Sequence, residues 1–337
     1  MPLIIPEKLK KGDTIGIVSP SAGLATFAMH RLDKAKSALE ELGYKIKFAK
    51  NALKNSGYIS ASVEERLEDI HDMFSDKEVK MIMCAIGGNH SNQLIKHLDY
   101  GLIKNNPKIF IGYSDITVLH YAIQSQAGLS TYYGPCAMTQ FGEFPKILDY
   151  TLKYFEYEVT DSGGKDTYKI EPSETWTEEF LDWFKKEDIK RPRELKKNNG
   201  YEWLSQGSAE GPALGGAILS VNHLAGTKYW LDPRGTIFFL DILKEEGLLN
   251  EAGVDSLLTD LDNMNLFDSI KGLVVSRPAG FSEEENIRIK NMVSRFVKDK
   301  KYPTLFNANV GHADPIITLR YGRVLRLNSS SGELFAA

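Results

Sequence analysis

Between residues 13 and 128 the chain alternates two hydrophobic rhythms. "DTIGIVSPSAG", "VKMIMCAIGGN" and "PKIFIGYSD" are near-continuous apolar runs that close on small residues, which predicts strands buried on both faces. "KIKFAKN" alternates with period two and predicts one more strand. "HRLDKAKSALEELGY" carries apolar residues at helical spacing and stops at Gly43, the usual place for a helix-ending glycine. "SVEERLEDIHDMFSD" predicts an amphipathic helix with a serine cap and an acidic first turn. "HSNQLIKHL" and "ITVLHYAIQSQAG" predict two further helices. Strands alternating with helices in this way predict an α/β domain, a doubly wound parallel sheet covered on both faces.

After about Tyr150 the texture changes. The stretch from 151 to 200 is polar and aromatic with weak periodicity, and reads as a linker with an excursion over the surface. From 201 to 337 short glycine-punctuated strands return, among them "SAEGPALGGAILS", "GTIFFLDIL", "KGLVVSRP", "TLFNANVG" and "IITLRYGRVLRLN". Two helical stretches, "EAGVDSLLTDLDNM" and "SEEENIRIKNMVSRFVKD", interrupt them. The expectation is an N-terminal parallel domain over 1–150 and a β-rich mixed domain over 201–337, which suits a 337-residue chain at about 150 residues per domain.

Composition removes several function classes. A formal net charge of -4 offers no broad attraction to nucleic acid or to an anionic membrane. The two cysteines, Cys84 and Cys136, form no CxxC pair, so a disulfide framework and a cysteine zinc site are both unexpected. The opening "MPLIIPEKLKKGD" has the wrong order and length for a signal peptide, and no apolar run approaches the ~20 residues of a membrane span. A cytoplasmic location is expected. Neither GxGxxG nor GxxxxGK[ST] occurs, so the common phosphate cradles are missing.

In an open parallel sheet, ligands collect beyond the carboxyl ends of the strands. "SPSAG", "IGGN" and "GYSD" all end there, and the last presents Ser114 at a strand-to-helix corner. Such a corner exposes the hydroxyl and aims backbone N–H groups into the same space, as in a nucleophile elbow. A serine in that position is equally what an ordinary helix N-cap requires, and the final glycine of the elbow pattern is absent. A nucleophilic serine needs a base. His30, His71, His97, His120 and His223 fall in helices or on polar faces, whereas His312 follows a strand in the glycine-containing loop "NVGHADP". Asp241 is the first charge after the buried run of "GTIFFLD", which suits either an orienting acid or the cap of the next turn. Together these give the order Ser, Asp, His.

The chain resembles the serine LD-carboxypeptidase family, in particular the branch that contains the microcin C immunity proteins. The resemblance rests on "SPSAG", "IGGNHSNQLIKHLD", "PKIFIGYSDITVLH", "TYYGPCAM", "GPALGGAILSVNHLAGTKYW", "GTIFFLDI" and "GHADPIITLRYG", in the family's order over nearly the whole chain. It implies a dimeric cytoplasmic hydrolase of two domains that needs no cofactor or metal. It places the nucleophile on Ser114, the base on His312, the acid on Asp241, and the oxyanion donors on backbone N–H groups near Gly88 and at Asp115. The immunity branch cleaves an amide between an aspartyl group and a modified nucleotide and stacks a tryptophan on the base. Trp183 and Trp176 are the candidates for that ring, and core packing is the competing role for each.

Two residues depart from the family pattern, and the charge at a third place is open. The acid is aspartate where glutamate is usual, one methylene shorter. Ala217 stands in "GGA" where the family has "GGN". The immunity branch also implies a lysine about one turn after the acid, where this chain has Lys244 followed by Glu245 and Glu246. The expected activity is therefore a serine amidase acting on an aminoacyl-nucleotide amide or on an LD-peptide bond of a peptidoglycan fragment. The rival is a binding protein that retains the fold without turnover.

Overall fold

A computed structural model describes residues 3–161, 163–245 and 247–337. In the first half β1 (Thr14–Val18), α1 (Met29–Glu41), β2 (Lys45–Phe48), α2 (Val63–Ser75), β3 (Val79–Cys84), α3 (Tyr100–Asn105), β4 (Ile109–Gly112), α4 (Thr117–Ala127) and β5 (Tyr132–Tyr133) follow one another. The strands pair in parallel in the order β5-β4-β3-β1-β2, a doubly wound sheet. Every residue of β4, and every residue of β3 except Lys80, is buried, because helices cover both faces. A Ser62–Glu65 capping box opens α2, and Gly128 in the left-handed region closes α4. "HSNQLIKHL" makes only a short 3₁₀ turn at Ser91–Gln93 instead of a helix. Its two leading donors, the His90 and Ser91 N–H groups, are taken by the Asp115 carboxylate, which fixes the segment as a loop.

α5 (Asp149–Val159) begins the second half, where weak periodicity suggests a linker. Its buried face alternates Tyr154 and Phe155 with Thr151, Glu158 and Val159, so tyrosine, threonine and a buried acid hide the helical stripe. Beyond it lie β6 (Tyr168–Lys169), β7 (Thr175–Trp176), β8 (Lys196–Lys197), β9 (Glu202–Ser205), β10 (Ser208–Ala217), α6 (Ile218–Asn222), β11 (Ile237–Asp241) and α7 (Glu251–Asn263). α8 (Leu266–Ser269), β12 (Gly272–Ser276), α9 (Glu283–Val297), β13 (Thr304–Ala308), β14 (Leu319–Arg320), β15 (Val324–Asn328) and β16 (Glu333–Ala336) complete the chain. Among the described residues the second sheet orders β6-β16-β15-β10-β11-β12-β13-β9, with a parallel centre from β10 to β13 and antiparallel flanks.

"IITLRYGRVLRLN" divides into two strands that serve different sheets. β14 pairs antiparallel with β5 at the edge of the first sheet, and β15 pairs with β10 in the second. Buried residues of both sheets share one apolar cluster, which includes Phe110 and Tyr133 from the first and Phe239 and Leu240 from the second. No helix of the described residues is long and apolar enough to cross a membrane.

Candidate active site

The carboxyl ends of β1, β3 and β4 are drawn together by one buried carboxylate. Asp115 Oδ2 accepts hydrogen bonds from Ser21 Oγ at 2.6 Å, the Ser91 N–H at 2.9 Å and the His90 N–H at 3.0 Å. Ser91 Oγ returns a hydrogen bond to the Asp115 carbonyl at 2.8 Å. Gly88 has a φ of 144°, and a Cβ there would lie 2.5 Å from Ser21 Oγ and 2.8 Å from the Ala22 nitrogen. Only glycine lets the three loops approach this closely. The Asp115 side chain is thus structural, and only its backbone N–H is left to serve at the corner beside Ser114.

Ser114 sits at φ 64°, in the left-handed region that a residue with a Cβ occupies at a cost of about 1 kcal/mol or more. The corner is held from behind. The Ser114 N–H donates to Tyr133 Oη at 3.2 Å, and Thr117 Oγ1 donates to the Ser114 carbonyl at 2.7 Å. Thr117 Oγ1 in turn accepts the Ala217 N–H at 3.1 Å, which ties the end of β10 to the serine corner.

Asp241 is the last residue of β11, opposite Ala217 in the parallel register, and its side chain is fully buried. Its Oδ2 accepts a hydrogen bond from Tyr133 Oη at 2.5 Å and lies 2.8 Å from His312 Nδ1. That second contact is at ion-pair distance, with the ring out of line for a good hydrogen bond. The side chain caps no turn. The loop that carries His312 closes on this short side chain. Gly311, at φ 97°, presses so close that a Cβ would fall 1.9 Å from Asp241 Oδ1. Burial, and next the Asp241 charge, push the Tyr133 phenol well above its ordinary range, so it stays protonated and can donate to the carboxylate.

Ser114, Asp241, His312, Gly88 and Ala217 all line one narrow cleft of about 20 Å³. His312 also lines a second cavity of about 200 Å³, bordered by Arg31, Arg193, Asp314 and Trp183. Trp183 lies on the Arg31 guanidinium at 4.2 Å, and Arg31 donates to Asp188 Oδ2 at 2.8 Å. Arg193 bridges Glu143 and Asp314, each at 2.8 Å. Desolvation lowers the Arg31 pKa and raises that of Glu143, and the network keeps these buried charges paired. Trp176 is elsewhere, packed between Arg277 at 4.3 Å and Lys196 at 4.7 Å.

The remaining candidates separate cleanly. Lys244 points away from the cleft and pairs with Glu285 at 2.8 Å, whereas Glu245 lines it. Glu246 lies outside the described residues. Among the described residues no group of three or more His, Cys, Asp or Glu side chains is placed to hold a metal ion. Sequence reasoning missed Tyr133, although "TYYGP" is one of the segments that carry the resemblance; a buried tyrosine one strand from a serine corner is its only signal. It also missed the charges of the larger cavity, which come from positions as distant as 31 and 314 and show no spacing.

Residues 15–134 match the model of the LD-carboxypeptidase N-terminal domain, and residues 210–327 match that of the C-terminal domain. The putative carboxypeptidase YocD of Bacillus subtilis is 36% identical over 97% of this chain and 96% of its own. A probable murein peptide carboxypeptidase of the same organism is 31% identical over 96% and 92%. The microcin C7 self-immunity protein MccF of Escherichia coli is 30% identical over 96% and 93%. Among solved structures, an MccF-like protein from Bacillus anthracis superposes with a TM-score of 0.89 at 33% identity, covering 99% of both chains. MccF in complex with aspartyl sulfamoyl adenosine gives 0.90 at 28% identity, covering 99% and 98%. Family models over both halves, and relatives at 30–36% identity over nearly the whole length, place this chain in the LD-carboxypeptidase family, among its MccF-like members.

Proposed function

We propose that this protein is a serine amidase that cleaves an aminoacyl-nucleotide amide. The observation that carries the reading is the lining of one cleft by a strained serine, a buried carboxylate and an imidazole 2.8 Å from that carboxylate. Ser114 Oγ attacks the substrate carbonyl carbon. His312 Nε2 takes the hydroxyl proton and returns it to the leaving nitrogen. Asp241 Oδ2 lies 2.8 Å from Nδ1, and once the ring turns into line with it the carboxylate holds the imidazole in the tautomer whose Nε2 is free to act as base. The N–H groups of Gly88 and Asp115 receive the tetrahedral oxyanion, a contribution of about 3–4 kcal/mol for each well-placed donor. The acyl-enzyme is then hydrolysed by water with His312 as base.

Trp183 favours a nucleotide leaving group over a peptide one. Its ring is fixed from one side by Arg31 and borders the larger cavity, which His312, the proposed proton donor to the departing group, also lines. A murein LD-peptide remains the second substrate class, in keeping with the murein peptide carboxypeptidase among the relatives.

Mass spectrometry of aminoacyl-sulfamoyl adenosines and of a muropeptide tetrapeptide, incubated with wild type and with Ser114→Ala, tests both readings. Cleavage of the nucleotides by the wild type alone is expected. Cleavage of the muropeptide alone would reassign the substrate. Equal decay of every compound with both proteins would remove the enzyme.

A further inference from the structure

His312 is placed by its loop more than by its own bonds. Its Nδ1 faces Asp241 out of line, and its ring otherwise rests on Tyr113, with the ring centroids 4.9 Å apart. Two residues further on, Asp314 is held on every side. Its N–H and its carbonyl exchange hydrogen bonds with Thr177 at 2.9 and 2.7 Å. Its Oδ2 accepts from Arg193 Nη2 at 2.8 Å, and its Oδ1 from Gln140 Nε2 at 3.1 Å. Arg193 is anchored in turn on Glu143, through Nη2 at 2.8 Å and Nε at 3.1 Å. Gln140 cannot turn away, because its Oε1 accepts from the Cys136 N–H at 3.1 Å and from Thr139 Oγ1 at 2.5 Å.

Thr177 and Arg193 both belong to the aromatic excursion, so the segment that carries Trp183 also holds the loop that carries the base. The hold is built from buried charge, since Asp314 and Glu143 are each only 6% exposed. A buried carboxylate deprived of its guanidinium must move towards water or another donor, and here it would take the loop with it. Arg193, Asp314 and Glu143 line the larger cavity rather than the cleft that holds Ser114. Their route to the reacting atoms runs through the position of His312.

We propose that Arg193 and Asp314 are positioning residues for the base: their ion pair clamps the His312 loop to the excursion and sets where the imidazole stands in the cleft. The inference rests on the proposed amidase reading for the role of His312, and adds to it a pair that none of its steps uses.

The rate at which diisopropyl fluorophosphate labels Ser114 tests the clamp, since so small a probe has no need of the larger cavity. In Arg193→Gln and in Asp314→Asn, labelling well below the melting temperature should slow roughly ten- to hundredfold, the scale of a base displaced by about 1 Å. Arg193→Lys, which keeps the charge and loses the fork, should recover part of the rate. The double variant should be no slower than the slower single one, because both act through one contact. Where a single variant fails to fold, Arg193→Met/Glu143→Gln/Asp314→Asn removes the three charges together and leaves no carboxylate unpaired, and labelling should slow there too. Selective ¹³C labelling of histidine reads the ring without any reaction. The His312 signal, assigned by its loss in His312→Gln, should shift in Arg193→Gln and in the triple variant. Unchanged labelling of an active protein, an unmoved His312 signal, or losses that multiply in the double variant would each overturn the assignment. A shifted signal in a protein whose wild type takes no label and cleaves no substrate would defeat the amidase and leave the clamp standing.

Discussion

Tyr133 joins the nucleophile to the acid, and Tyr133→Phe removes that link while preserving the ring. The phenol oxygen accepts the Ser114 N–H at 3.2 Å and donates to Asp241 Oδ2 at 2.5 Å. The lost hydroxyl costs one neutral hydrogen bond and one hydrogen bond to a charged acceptor. The second is the larger, about 1.5–3 kcal/mol. Asp241 Oδ1 already has no hydrogen-bond partner, so the buried carboxylate is left held by His312 alone. If that energy serves to hold Ser114 and the acid in working geometry, kcat should fall roughly ten- to hundredfold. KM should stay within about twofold, because the phenol does not line the substrate cleft. The rate of fluorophosphonate labelling at Ser114 should fall in parallel, measured well below the melting temperature so that lost stability does not enter. A variant with wild-type labelling and kcat, or one in which KM alone rises, would show that Tyr133 is only packing.

Two other perturbations follow from the same geometry. Gly311→Ala places a Cβ where only 1.9 Å separates it from Asp241 Oδ1, at a φ of 97°, so the loop carrying His312 must retreat. A displacement of about 1 Å should cost on the order of a hundredfold in kcat/KM, and an active alanine variant would refute the close approach. His120 is fully buried, and burial pushes its imidazole down to about 3. Its Nε2–H donates to the Gly112 carbonyl at 2.9 Å, so the folded state holds it neutral. Because the folded pKa is lowered, its contribution is complete above about pH 6.5 and is lost by about 1.4 kcal/mol per unit as pH falls towards 3. Urea unfolding of wild type and His120→Gln from about pH 7 to about pH 5 should show a steeper loss for the wild type by about 2 kcal/mol; parallel curves would refute it.

The parallel sheet was legible because its strands are buried on both faces, and continuous apolar runs between amphipathic helices admit few other folds. Ser114 and His312 were legible for a related reason, since each follows a strand at the edge where an open sheet exposes its loops. What composition conceals is whatever depends on contacts distant in sequence. The helix at 149–159 was hidden by tyrosines and a buried glutamate on its inner face. The loop after Ser91 follows from an acceptor at position 115 that no local pattern announces. Tyr133 looks like any strand tyrosine until β11 sets Asp241 beside it. The sign of the charge in the cleft was also open, with "LKEE" offering both; the structure turns Lys244 towards Glu285 and Glu245 inward.

The cleft is a property of the seam between the two sheets. Ser114 and Gly88 come from the first sheet, and Asp241, Ala217 and His312 from the second half of the chain. Four ties fix them: Tyr133 to Asp241, Thr117 to the Ala217 N–H, Tyr321 Oη to the Gly215 carbonyl at 2.9 Å, and β14 against β5. Each tie joins groups about a hundred or more residues apart in the chain. The parallel register of β10 and β11 then places Ala217 and Asp241 level with each other at their strand ends. Position 311 is glycine where the loop closes on Asp241, and the strained serine has its N–H held by Tyr133. A substitution at any of these contacts therefore acts on the geometry of Ser114, Asp241 and His312 together, and the effects of paired substitutions here should be far from additive.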